Sequence, residues 1–276
     1  VVELLAVSDV VAASGGDCMV VWAAQGLRGG VRAWALDGAV AVASPQLNRR
    51  DRLTVCGPAA PVAELVRRVL PGLGPSYRLL GSRPLVAEVV ERLPGARPPV
   101  GFEWMDTAEE VMADAQGDAA GDRGDSVGAG RAGTAGRRAV EPDGPGAGWL
   151  PAEAGGEVAA LLAVASPSAW AVPGVAGIRR WAGIRDAGGE LVAVAADAWS
   201  APQVGFVAGV GTVPAWRGRG LGEAVCRFVF GELAAEHGRV ALMVDTGNRG
   251  AIRVYERLGM RIRPVAAAEL PGACGG

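Results

Sequence analysis

The sequence predicts an α/β chain assembled from two successive units of the same kind. Three observations predict it. The 276 residues exceed the roughly 100–150 of a typical domain. The order β-β-β-α-β-α-β can be read twice along the chain. Residues 113–148, dominated by Ala, Gly, Asp and Arg, separate the two readings. The expected organisation is an N-terminal domain over residues 1–112, a flexible linker over 113–148 and a second domain over 149–276.

In the first unit, residues 31–36 and 39–43 flank Asp37-Gly38, a two-residue hairpin signal. A strand near 53–56, a helix over 61–70, a strand near 77–80, a helix over 84–93 and a strand near 100–105 follow. Thr107 and Glu110 stand as a capping box, which predicts a short helix through Val111. The stretch after it offers no hydrophobic period and few residues able to anchor a core, hence the linker. In the second unit a helix is expected over 157–165. A hairpin over 180–185 and 190–196 then turns through Asp186-Ala187-Gly188-Gly189. A long strand over 204–213, a helix over 220–236, a strand over 240–245, a helix over 248–258 and a strand from Met260 complete it.

Composition removes several function classes. Half of the residues are hydrophobic, enough for a large core. No stretch reaches the roughly 18 uninterrupted apolar residues of a membrane span, so a soluble chain is expected. The apolar start, residues 1–11, carries Glu3 and Asp9 and lacks a basic lead, so it does not read as a signal peptide, and a cytoplasmic location is expected. Cys18, Cys56, Cys226 and Cys274 are widely spaced and form no C-x-x-C, so they read as reduced thiols without metal. His237 is the only histidine and stands at an expected helix end, where a capping role suits it better than a catalytic triad. All 27 basic residues are arginine, which excludes a P-loop and Schiff-base chemistry for want of lysine. A net charge of −2 without a basic cluster gives no footprint for nucleic acid or an acidic membrane.

The densest signal runs from Thr212 through Val213-Pro214-Ala215-Trp216-Arg217-Gly218-Arg219-Gly220-Leu221 to Gly222: a strand halts at a proline and turns through three glycines into a helix. Such a turn aims backbone N–H groups and the positive end of a helix dipole at one point, and this favours a pyrophosphate. Arg217 and Arg219 add positive charge. Leu221, Val225, Phe228, Val229 and Leu233 share one face, as the following helix requires. A Rossmann reading fails because Glu223 stands where its third glycine belongs.

Arg217-Gly218-Arg219-Gly220-Leu221-Gly222 resembles the R/Q-x-x-G-x-G/A acyl-CoA motif of the GNAT N-acetyltransferase superfamily. Asn248, Ala251, Tyr255 and Gly259 resemble its N-x-x-A-x-x-x-Y-x-x-x-G signature, directly after a strand. The resemblance is firm over residues 204–260, extends to Glu157, and before the linker concerns topology only. It implies a mixed, mostly antiparallel sheet flanked by helices, in two tandem GNAT-like domains of which the first is degenerate. It also implies acetyl-CoA as co-substrate and transfer of its acetyl group to a primary amine of a small molecule or a peptide. Val210, Gly211 and Thr212 would pair with the pantetheine arm. Arg217, Gly218, Arg219, Gly220, Leu221, Gly222 and Glu223 would hold the pyrophosphate, and Asn248 would bind the cofactor too. No CoA is expected in the first unit, whose turn is Gly57-Pro58-Ala59-Ala60-Pro61. That unit would cover the acceptor cleft or replace a dimer partner.

Attack of a neutral amine on a thioester needs oriented N–H donors, a proton acceptor and a donor for the departing sulfur. Tyr255 is the candidate donor, with a packed aromatic as its other reading. Seven residues separate it from Asn248, which puts both on one helix face about 10 Å apart. Met243 occupies the position where many relatives carry a glutamate base, and Asp245 can equally end its strand and cap the next helix. The base is therefore unassigned, and a non-catalytic acyl-CoA-binding module is the alternative function. Trp181 and Trp199 read as core or as the wall of an amine pocket, and Trp216 as a shield for the turn.

Overall fold

The computed structural model describes residues 1–107 and 146–270. All but the last three residues of the expected linker, with Glu110, Val111 and Cys274, lie outside them. The first half contributes β1 (Val2–Leu4), α1 (Val7–Ser14), α2 (Cys18–Ala24), β2 (Arg32–Leu36), β3 (Ala39–Leu47) and β4 (Arg50–Cys56). It continues with α3 (Ala59–Val69), β5 (Arg78–Ser82), α4 (Arg83–Glu91) and β6 (Val100–Thr107). The second contributes β7 (Gly148–Trp149), α5 (Gly155–Ala165), β8 (Ile178–Arg185), β9 (Leu191–Ala198) and β10 (Gly205–Thr212). It ends with α6 (Leu221–His237), β11 (Val240–Val244), α7 (Arg249–Arg257) and β12 (Met260–Glu269). From β2 to β6 and from β8 to β12 the order of strands and helices is identical.

All of these strands join one sheet in the order β1-β2-β3-β4-β5-β12-β6-β11-β10-β9-β8-β7. Pairing is antiparallel except for β4 with β5 and β10 with β11. The centre is an exchange. β12, the last strand of the second half, lies between β5 and β6, and β6, the last strand of the first half, lies between β12 and β11. Thus neither half completes its own sheet. Thr107 belongs to β6, where its hydroxyl accepts from the Val240 N–H; the helix expected after it lies outside the described residues.

One sheet face carries α1, α2 and α5, and its core spans both halves. Trp22 of α2 stacks on Phe206 of β10 with ring centres 4.6 Å apart and lies 5.4 Å from Trp104 of β6. Each such aromatic contact adds about 0.5–1.5 kcal/mol beyond area burial. Asp17 caps α2 by accepting from the Met19 and Val20 N–H groups, and it also pairs with Arg263 of β12. The opposite face holds two separate cores, one under α3 and α4 and one under α6 and α7. Trp181 and Trp199 are buried in the shared core: Trp181 fits against Gly209, and the Trp199 indole donates to the Ala176 carbonyl. No helix among the described residues is long and apolar enough to cross a membrane.

Candidate active site

The β10–β11 pair is the only parallel contact of the second half among the described strands, and it is short. Pairing stops at Val207 with Leu242, whereas on its other edge β10 stays paired with β9 as far as Thr212. A register shift between Ala208 and Gly211 bulges the strand there. From Ala208 to Thr212, including Val210 and Gly211, β10 therefore has one unpaired edge facing the splay. An extended chain can add to that edge as another strand would.

At the end of β10 the chain makes one 3₁₀ turn at Pro214–Trp216 and enters α6. Gly218 and Gly220 have φ of +77° and +80°, a region L side chains rarely adopt, and a Cβ built on either would touch nothing. The backbone is thus held in a left-handed path around open space. No backbone carbonyl among the described residues accepts from the N–H groups of Gly218 to Glu223, whereas Arg217 and Ala224 donate to Pro214 and Gly220. An array of unpaired N–H groups at the positive end of a 17-residue helix fits a pyrophosphate.

The side chains of the turn divide. Arg219 is exposed and stacks on Trp216, its guanidinium 4.5 Å from the ring centre. Arg217 donates to the Thr212 carbonyl at 3.2 Å and the Ala165 carbonyl at 2.9 Å, so it ties the end of α5 to the end of β10. Leu221 is core, and the Glu223 carboxylate pairs with Arg227 and with Arg257 of α7. Their contribution to an anion at the turn would come from the backbone.

Asn248 is the N-cap of α7, its Oδ1 accepting from the Ala251 N–H at 3.2 Å. Asp245 donates no cap; its carbonyl accepts from the Asn248 N–H. Gly238 caps the far end of α6 in place of His237, whose ring instead meets the Pro202 carbonyl and Arg179. Tyr255 is only 6% exposed and packs towards Phe230, 6.2 Å between ring centres, so it does not share the open surroundings of Asn248. Burial, with Cys226 beside it, raises the phenol well above its ordinary range and keeps it protonated.

Met243 lies one residue beyond the last position at which β11 pairs with β10, at the mouth of the splay, and on its other edge it pairs with Trp104 of β6. Its sulfur meets Asn48 Nδ2 at 3.7 Å, and Asn48 belongs to the β3–β4 turn of the first half. The same turn sends Arg49 to the Trp170 carbonyl and Arg50 over the Trp170 ring. A second brace crosses the halves: Arg83 of α4 pairs with Glu103 of β6, which accepts from Thr246 in the loop before Asn248. These residues carried no sequence signal beyond turn propensity, because only tertiary pairing brings them to β11.

Residues 182–267 match a family model described as FR47-like protein. A GCN5-related N-acetyltransferase from Kribbella flavida is similar over 89% of this chain and 90% of its own, at 21% identity and a TM-score of 0.51. The fold is that of the GNAT superfamily. A GNAT-family chain from Novosphingobium aromaticivorans is similar at 24% identity over 79% of this chain and 86% of its own, with a TM-score of 0.47. A GCN5-related N-acetyltransferase from Sphaerobacter thermophilus is similar at 17% identity over 83% and 79%, with a TM-score of 0.46. No protein of curated function matches the sequence.

Within the GNAT fold the strand-to-helix turn of the first half differs from Val213–Gly222 in kind. There β4 passes to α3 through Gly57 and Pro58 alone, and a Cβ on Gly57 would lie 2.4 Å from the Gly38 carbonyl oxygen. The β2–β3 hairpin fills the space that stays open at Gly218 and Gly220.

Proposed function

We propose that the chain is an acyl-CoA-dependent N-acyltransferase that moves an acetyl group from acetyl-CoA to a primary amine by direct attack. The observation that carries the reading is the open turn of Gly218 to Glu223 beside the unpaired edge of β10. The thioester supplies an activated acetyl group and a good leaving group. In the reaction a bond forms between the amine nitrogen and the acetyl carbon, the carbon–sulfur bond breaks, and the proton lost by nitrogen balances the one gained by sulfur.

The chain's own residues would divide this work by position. The N–H groups of residues 218–223 hold the pyrophosphate, and the free edge of Val210, Gly211 and Thr212 orients the pantetheine arm. Asn248 binds the cofactor from the start of α7. Tyr255, kept protonated by burial, is the proposed donor to the departing sulfur. Acceptors are amines of small molecules or peptides, and residues 1–112 and 149–276 are read as tandem units of which only the second takes CoA.

Met243 favours a second reading. With a thioether at the mouth of the splay and no carboxylate in its place, the protein would bind acyl-CoA without turnover. The test is release of free thiol from acetyl-CoA over a panel of amines, with acetyl-CoA affinity measured in parallel. Thiol release that needs an amine supports the transferase. Tight binding without release under any amine supports the binding module, and absence of binding removes both.

A further inference from the structure

Buried polar groups in this protein are partnered with few exceptions, and the exceptions gather. Ser44 donates to the Ala23 carbonyl, Thr107 accepts from Val240, and Asp197 pairs with Arg180. Of the six buried side-chain atoms without a partner among the described residues, three belong to one hairpin: Asn48 Oδ1, Arg52 Nε and Thr54 Oγ1. Arg52 and Asn48 are only 5% and 7% exposed, and Thr54 is fully buried.

Strand alternation places Arg52 and Thr54 on the face shared by both halves. Leu53 and Val55, which alternate with them, belong to the core under α3, and Thr54 stands opposite Val42 and Leu80 of the shared core. Arg78, opposite Arg52, is neutralised by Glu269, and Arg50 lies over Trp170; among the described residues no carboxylate pairs with Arg52 itself. Desolvation, with Arg50 and Arg78 nearby, lowers its guanidinium to about 10. An isolated buried charge is costly unless an opposite charge meets it.

Asn48, four residues before Arg52 on the same hairpin, reaches the splay, because its amide nitrogen touches Met243. At ~3.3 Å per residue, the four-residue step from Asn48 to Arg52 spans at most about 13 Å. We infer that Arg52, with Thr54, forms a carboxylate subsite for the acceptor and that Asn48 Oδ1 stands ready to accept from its amine, so that the acceptor is an amine that carries its own carboxylate. Arg52 receives the anion, the hydroxyl of Thr54 donates to it, and Asn48 Oδ1 accepts from the amine end, which is directed at Met243. This rests on the transferase reading for the amine but not for the anion.

Two arms test it on the full chain. Thermal unfolding in sodium acetate is compared with sodium chloride at equal ionic strength, for wild type and Arg52→Met. Acetate should raise the wild-type Tm and leave the variant unmoved, and the variant should start at or above the wild-type Tm because its unpaired charge is gone. An equal response in both proteins, a variant that loses stability, or stabilisation by phosphate but not acetate overturns the subsite. The second arm measures thiol release with glycine, β-alanine and γ-aminobutyrate against methylamine, ethylamine and propylamine. The amino acids should win by at least about 30-fold in kcat/KM, and Arg52→Met should erase the difference while acetyl-CoA affinity holds. Alkylamines as good as amino acids, or a preference that survives in the variant, would remove the acceptor assignment. If no amine reacts but acetate still distinguishes the two proteins, the transferase reading fails and the anion subsite stands.

Discussion

The two halves share an order of strands and helices but not a strand-to-helix turn. In the first, β4 reaches α3 through Gly57-Pro58, pressed against Gly38. In the second, β10 reaches α6 through eight residues with two left-handed glycines, and from Gly218 into the first turn of α6 at Glu223 the N–H groups meet no backbone carbonyl among the described residues. Topology therefore does not make an anion site; the length and conformation of one turn do. The halves differ in a second respect as well. Their outer helices cover separate cores, while the opposite face is a single core fastened by Trp22 on Phe206 and by the exchange of β6 and β12.

The largest expected effect concerns that fastening. Trp22→Ala should lower unfolding free energy by about 3–5 kcal/mol. Urea unfolding followed by circular dichroism should give one transition in the wild type, because each half completes the other's sheet. Two separated transitions in the wild type would mean that the halves are independent. Gly57→Ala comes next, since its Cβ meets the Gly38 carbonyl at a φ of +111°. A loss of about 1–3 kcal/mol is expected, with CoA affinity unchanged. Weaker CoA binding in that variant would place the cofactor in the wrong half.

Much of this comparison was legible in the sequence, for physical reasons. Asp37-Gly38 dictates its hairpin, and the glycine turn before Leu221 announces the start of α6 because few residues other than glycine tolerate that path. What was missed follows from equally definite causes. α2, Cys18–Ala24, is buried all round, so it shows no amphipathic period. The exchange of β6 and β12 is invisible because strand composition does not reveal which neighbour a strand chooses. Arg217 looked like an anion ligand, but its partners are two carbonyls, one of them 52 residues away. Arg52 stands just before the strand expected near 53–56, and only the sheet, by extending β4 back to Arg50, encloses it.

Smaller effects sharpen the account of the second half. Tyr255→Phe should lower kcat and kcat/KM together by about 10-fold to 100-fold, with acetyl-CoA affinity unchanged, since the ring still packs and only the donor is lost. Stability should scarcely change, because no described residue hydrogen-bonds the hydroxyl. Wild-type turnover in the variant would leave Tyr255 a packing residue. Asn248→Ala should cost about 1 kcal/mol of stability through loss of the α7 cap and should weaken acetyl-CoA binding as well. Lost stability without lost affinity would confine Asn248 to capping.

The most direct measurement is a calorimetric titration of CoA into the wild type and Gly220→Glu. A carboxylate at residue 220 would stand at the proposed pyrophosphate site, on a backbone with φ of +80°. The account predicts one CoA per chain in the wild type and none in the variant, with the circular dichroism of the fold retained. A variant that binds CoA as the wild type does, or a wild type that binds two, would contradict it.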